Sequence, residues 1–217
     1  MTIPIAADRP KSLADPEERT ARHTRSAEPH VLALTQFVEQ VRRERNCGPA
    51  VPYCDPADGG IHAECLFLLE ASGPRALASG FISRNNPDET AKNFMLLNEE
   101  AGMPRSRTVI WNIVPWYIGS GTRIRAATTQ DIVEGWPYLE RLLQLLPLVT
   151  VAVLIGRKAQ RVRRKLATLR PVLQVFDCPH PSPLFVNRRP GNRAVVLEAL
   201  RAAAAALPGR LQAPEPA

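Results

Sequence analysis

Four short apolar runs, each closed by turn residues, organise the chain: residues 65–70, 108–114, 149–155 and 172–176. Runs of this length and continuity predict strands buried on both faces, as in a parallel sheet. Elsewhere the spacing is helical. Residues 30–45 place Val31, Leu34, Val38 and Val41 on one helix face. The string Asn86-Pro87-Asp88-Glu89 predicts a helix start, with Asn86 as N-cap, Pro87 at the first helical position and Glu89 completing a capping box. Phe94, Leu96 and Leu97 give that helix its core face. Further helices are predicted over 129–146, interrupted by Pro137, over 157–169 and over 191–207. Four alternations of strand and helix predict a three-layer α/β/α sandwich around a central four-stranded parallel sheet. Residues 1–28 mix charges with Pro4, Pro10 and Pro16 and show neither period, so they predict a flexible N-terminal tail. A C-terminal tail is expected over 211–217, which leaves 29–210 as a single α/β domain. The Pro- and Gly-rich stretch 46–60 predicts a long loop whose Asp55 and Asp58 are available to a site.

Composition narrows the class. With 217 residues, 45% apolar and 23% charged, the chain suits one sizeable core and excludes wholesale disorder and collagen-like repeats. The longest apolar run, 142–156, is broken by Gln144, Pro147 and Thr150 and is too short to span a bilayer. No apolar h-region stands in the first 26 residues, so a reducing, cytoplasmic setting is expected. Charge is more specific. Net charge is +7, yet residues 1–30 hold five basic and five acidic side chains and add nothing to it. Residues 157–193 carry ten Lys or Arg against Asp177 alone, a field attractive to a polyanion. Arginine outnumbers lysine 24 to 4, and guanidinium is the better phosphate fork.

Polar residues gather where the strands end. The first strand runs into Glu70-Ala71-Ser72-Gly73-Pro74, the second carries Asn112 in an otherwise apolar run, and the fourth exits into Cys178-Pro179-His180-Pro181-Ser182-Pro183. Ligands of open parallel sheets bind outside the carboxyl ends of the strands, so these three segments converge on one crevice. A buried Asn also costs free energy unless something pairs with it.

The string His180-Pro181-Ser182-Pro183-Leu184-Phe185-Val186-Asn187-Arg188 resembles the second active-site motif of the uracil-DNA glycosylase superfamily. Leu69-Glu70-Ala71-Ser72-Gly73-Pro74 is similar to its first motif, and the order and spacing agree from Cys65 to Arg193. The resemblance implies excision of uracil from DNA by base flipping and hydrolysis of the N-glycosidic bond, on single- or double-stranded DNA, without cofactor or metal. It assigns base reading to Asn112, whose amide offers an acceptor to N3–H and a donor to O4. It assigns His180 to the charge that develops on uracil O2, and Leu184 to the gap left by the extruded base. Ala71 and Ser72 fall in the base-binding motif, and Phe81 either stacks on the base or belongs to the core. Ser182, Arg75, Arg188 and Arg189 are matched to phosphate contacts.

One departure bears on mechanism. In the best-known branch an aspartate of the first motif directs the attacking water, and Ala71 stands in its place. Glu70 is the first substitute, followed by Asp88, which also suits a helix N-terminus, with Asp55 and Asp58 in the preceding loop behind them. Some branches hold an iron–sulfur cluster, but Cys47, Cys54, Cys65 and Cys178 lack any Cys-x-x-Cys pair, so no metal is expected. A non-catalytic damaged-DNA-binding protein of the same fold is the alternative, motivated by Ala71. A small-molecule hydrolase or transferase is a third reading, against which the basic 157–193 segment argues. A monomer acting at the nucleoid is expected, since one basic face suffices for DNA.

Overall fold

The computed structural model describes residues 8–121 and 123–209; the expected C-terminal tail, 211–217, lies outside them. Four strands, β1 (Cys65–Ala71), β2 (Thr108–Val114), β3 (Val151–Ile155) and β4 (Gln174–Cys178), form one parallel sheet in the order β2-β1-β3-β4. β4 lies two residues beyond its predicted position: Val172 stays outside the sheet, 74% exposed, while Cys178 closes the strand, fully buried.

Helices cover both faces, as the alternation of apolar side chains along β1 and β2 requires. Phe67 of β1 meets Phe94 of α4 (Glu89–Glu100) edge to face at 4.9 Å. Behind α4 packs α9 (Asn192–Ala205), which also reaches β3 and β4. On the opposite face Trp111 of β2 lies 5.7 Å from Phe37 of α2 (Pro29–Arg45). Beside α2 runs α5 (Thr129–Gln144), and against α5 lies α7 (Arg163–Leu169), where Lys165 Nζ sits 4.7 Å from the Trp136 ring. The architecture is therefore the expected three-layer α/β/α sandwich on a four-stranded parallel sheet. α5 lies flush on β2 at Gly135, where a Cβ would stand 1.9 Å from Ile113 O.

Three expectations need correction. The helix over 129–144 continues through Pro137, because one lost backbone bond is offset by burial of Ile132, Trp136, Leu139, Leu142 and Leu143. The helix expected over 157–169 divides into α6 (Arg157–Gln160) and α7. The N-cap of α4 is Asp88, whose side chain accepts from Ala91 N, and Asn86 is turned inward to Ser79 and Phe81.

The largest departure is at the N-terminus. Part of the expected tail, Ser12–Ala27, is helical, with α1 (Pro16–Thr24) capped by Asp15 and started by Pro16. Leu13 is fully buried, and Arg22 forms a buried ion pair with Asp55 at 2.5 Å. The charges that masked any apolar period here are the ones that dock the segment. No helix among the described residues is long and apolar enough to cross a membrane.

Candidate active site

The carboxyl ends of the strands open into a cleft of about 520 Å³, within the range of small-ligand sites. From β1 come Glu70, Ala71 and then Ser72 and Gly73, leading into α3 (Pro74–Ser79); β2 supplies Asn112; the loop after β4 supplies His180 and Pro181. Parallel pairing sets Asn112 opposite Leu69, three residues before Ser72. Asn112 Nδ2 then donates to Ser72 Oγ at 2.9 Å, both residues being 2% exposed. Among the described residues Ser72 is the side-chain partner of Asn112. One amide hydrogen and the Oδ1 acceptor remain for a ligand in the cleft.

His180 is held by its neighbours. Gly156, at φ +83°, turns the chain after β3 and donates from its N–H to Cys178 O at 2.8 Å, so the ends of β3 and β4 are tied together. A Cβ on Gly156 would touch His180 Cβ at 3.6 Å. Asn93 of α4 fixes the next residue, donating from Nδ2 to Pro181 O at 3.0 Å. Burial pushes the His180 pKa below the usual histidine value, against the opposing pull of the Glu70 and Asp88 charges. The imidazole is therefore neutral at neutral pH, with one N–H to give.

Both ranked carboxylates line the cleft, and each has a partner. Glu70 Oε1 accepts from Ala127 N at 2.6 Å, and Lys158 donates to Ala127 O. Asp88 Oδ1 accepts from Ala91 N at 2.9 Å as the α4 cap. Asp55 and Asp58 are not cleft residues; they lie buried behind its wall in an ion network with Arg22, Arg84 and Arg105. Burial would raise the Asp55 carboxyl, but Arg105, Arg22 and the Ser83 hydroxyl hold it down to about 2. For Asp58 burial prevails over Arg105 and Arg84, and its pKa is raised.

Phe81 does not line the cleft. It is fully buried against His23, 4.5 Å between ring centroids, and against Tyr53 at 6.2 Å. Phe81 and Ile82 form a two-residue strand beside Tyr53–Cys54, and successive strand side chains point oppositely, so Ile82 reaches the cleft instead. The cleft's aromatic is Phe94 of α4. Ser83, Ile124 and Arg125 also line it and were not expected at the site, and Asn86, expected only as a helix N-cap, lines it too. For Ile124 a signal existed: Gly119-Ser120-Gly121 marks the turn of the ribbon Gly119–Ser120/Arg123–Ile124. For Ser83 none did, because a polar run reads as surface loop, and for Asn86 the following Pro-Asp-Glu pointed to a helix start instead.

Beyond His180 the chain forms α8 (Pro183–Val186), with Ser182 at its N-cap. Leu184 is 84% exposed there, and Arg188 and Arg189 are exposed just after it. Arg75 of α3 is exposed on the cleft's lining. The basic segment is not uniform. Arg163 pairs with Asp177, Arg193 with Glu100, and Arg170 donates to the carbonyls of Leu143, Leu146 and Pro147. Arg157, Arg161, Arg164 and Lys165 are exposed. Cys54, Cys65 and Cys178 are buried, and burial pushes the Cys65 and Cys178 thiols up to about 12.

No curated protein matches the chain significantly. The model of one family does: that of the uracil DNA glycosylase superfamily, over residues 61–204. Its span holds all four strands of the sheet and every cleft residue from Glu70 to Pro181. By that match over most of its length, the chain belongs to the uracil DNA glycosylase superfamily.

Proposed function

We propose that this chain is a DNA-repair glycosylase that excises uracil. The observation that carries the reading is that Asn112 of β2 and His180 of the loop after β4 line one cleft, with an exposed Leu184 four residues beyond His180. Duplex or single-stranded DNA lies along the exposed arginines, and one nucleotide is extruded into the cleft while Leu184 fills the vacated stack. Uracil N3–H donates to Asn112 Oδ1, and the free Nδ2 hydrogen donates to O4. The bond from C1′ to N1 breaks, its electron pair leaves with the base, and negative charge gathers on O2. The neutral His180 imidazole donates a hydrogen bond there, a contribution of roughly 3 kcal/mol for one such donor. Water adds to the oxocarbenium carbon and gives up a proton, so the products are an abasic site and free uracil. Glu70 is the first candidate to orient that water and Asp88 the second, each through the oxygen not engaged by a backbone N–H. The protein acts as a monomer through a single basic face.

Incubation with a uracil-containing oligonucleotide, followed by alkaline cleavage of abasic sites, tests this. Strand product is expected, and its absence at high enzyme excess overturns the reading. The second reading, a damaged-DNA-binding protein without turnover, is favoured by Ala71 and by the engagement of Glu70 with Ala127. Retention of uracil-DNA in a gel shift without strand product would select it.

A further inference from the structure

The wall of the cleft at residues 82–86 is polar on its far side as well as toward the cleft. Ser83, Arg84, Asn85 and Asn86 are all at most 7% exposed, which for four such residues in a row requires partners. Arg84 reaches Thr108, and Asn86 reaches Ser79 and Phe81, within the family-matched span, whereas Ser83 and Asn85 draw partners from outside it. The Ser83 hydroxyl donates to Asp55 Oδ2. The same carboxylate takes Arg22 Nη1 at 2.5 Å, Arg105 Nη2 at 2.8 Å and Ala57 N at 2.9 Å. Asn85 Nδ2 donates to Asp8 Oδ1 at 2.7 Å and to Arg9 O at 2.8 Å, and Asn85 O accepts from Leu13 N at 3.1 Å. His23 of α1 backs Phe81, and Lys11 pairs with Glu89 beside the cap Asp88.

We propose that Arg22 and Asp55 are positioning residues for the cleft: by holding Ser83 from behind they fix the 82–86 wall and the Asp88 cap against which a flipped base rests, making residues 8–24 a working part of the site. The substrate in this inference rests on the proposed function. The mechanics do not. Asp55 accepts four hydrogen bonds, one from Ala57 of its own turn and three from Arg22, Ser83 and Arg105 of separate segments, so withdrawing Arg22 unties α1 from the cluster and loosens Ser83 in the same event. A wall displaced by an ångström is enough to cost about ten- to a hundredfold in rate.

The test uses the full-length chain with Arg22→Gln, Arg22→Lys and Ser83→Ala. Amide exchange is read along the backbone, and single-turnover excision of uracil is measured well below the unfolding temperature. In Arg22→Gln and Ser83→Ala, exchange over 81–88 is expected to accelerate more than in the sheet strands, and excision to fall about tenfold or more. Arg22→Lys is expected to recover most of both. Exchange that rises uniformly through the sheet and 81–88 would reduce Arg22 to a general stabiliser and overturn the proposal. So would excision within twofold of the parent while 81–88 is loosened. If the parent itself excises nothing, the glycosylase reading fails and the exchange data alone decide this inference; if Arg22→Gln does not fold, Ser83→Ala decides it.

Discussion

Two clusters of charged and polar side chains meet across the 82–86 wall, and they treat hydrogen-bonding capacity differently. Behind the wall, Asp55, Asp58, Arg22 and Arg105 are closed in: both Asp55 oxygens are doubly engaged, and Arg105 reaches Asp8, Asp55, Asp58 and Asn85. Asp58 Oδ2 and Arg84 Nε are the exceptions, buried without a partner among the described residues. In front of the wall, Asn112, Glu70 and Asp88 each show one engaged side-chain atom, and His180 is held by packing. Asp55, which serves the fold, is saturated, whereas the amide and carboxylates that face the cleft keep capacity in reserve. Asp55 and Glu70 look alike in sequence. Saturation separates them.

Breaking the closed cluster has the largest expected effect. Asp55→Ala strands Arg22 and Arg105 without their shared carboxylate and is expected to cost about 3–5 kcal/mol of folding stability. Denaturant unfolding measures it; a loss below about 1 kcal/mol would mean the network is no more structural than the cleft. His180→Ala is the counterpart. Excision is expected to fall roughly 10²–10³-fold, with unfolding free energy within about 1 kcal/mol of the parent and binding to undamaged DNA retained. A variant that unfolds readily but excises normally would reverse the roles assigned to the two sides.

The two sides of the wall were not equally legible in the sequence. The sheet, its flanking helices and the three strand ends were legible because apolar periodicity and strand-end polarity are local, and Asn112, Ser72 and His180 do meet at one cleft. The N-terminal segment was illegible for a physical reason. α1 has Arg22 as its only buried residue and is held by that residue's ion pair with Asp55 and hydrogen bond to Asn85, partners tens of residues away, which no period of 2 or 3.6 reveals. Phe81 was ambiguous for the same cause, since its packing partner His23 lies in that segment.

Acid sharpens the contrast at a smaller magnitude. The Asp55 pKa is held at about 2 in the folded protein and is about 3.9 when unfolded. Its stabilisation is thus present above about pH 4 and is lost as pH falls through 2, about 2.6 kcal/mol in all. Asp58, raised by burial, has the opposite sign: its charge costs stability at neutral pH, and protonation relieves that cost. Asp58→Asn is therefore expected to flatten the upper part of the acid profile and leave the lower limb. Unfolding free energies between pH 2 and 6 check this, and a lower limb that survives Asp55→Asn would misassign it. Next in size is Leu184→Ala, expected to lower excision about tenfold from duplex and far less from single strands, where no stack must be filled. Equal losses on both would remove the wedge role.

The finest comparison is between His180 and a histidine in water, which loses its charge near pH 6.5. Burial in the cleft lowers the His180 pKa, so the neutral, hydrogen-bond-donating form persists to more acidic pH than usual. The midpoint of any acid fall in the excision rate constant is therefore expected to lie below pH 6.5. Glu70 and Asp88 also bear on the acid side, since their negative charges draw the His180 pKa upward. Glu70→Gln and Asp88→Asn each remove one such charge and should move any histidine-dependent limb further into acid, while His180→Ala should abolish that limb. A parent profile whose acid midpoint lies at or above pH 6.5, or a limb unmoved in both carboxamide variants, would mean that the imidazole is not shielded as the cleft geometry requires.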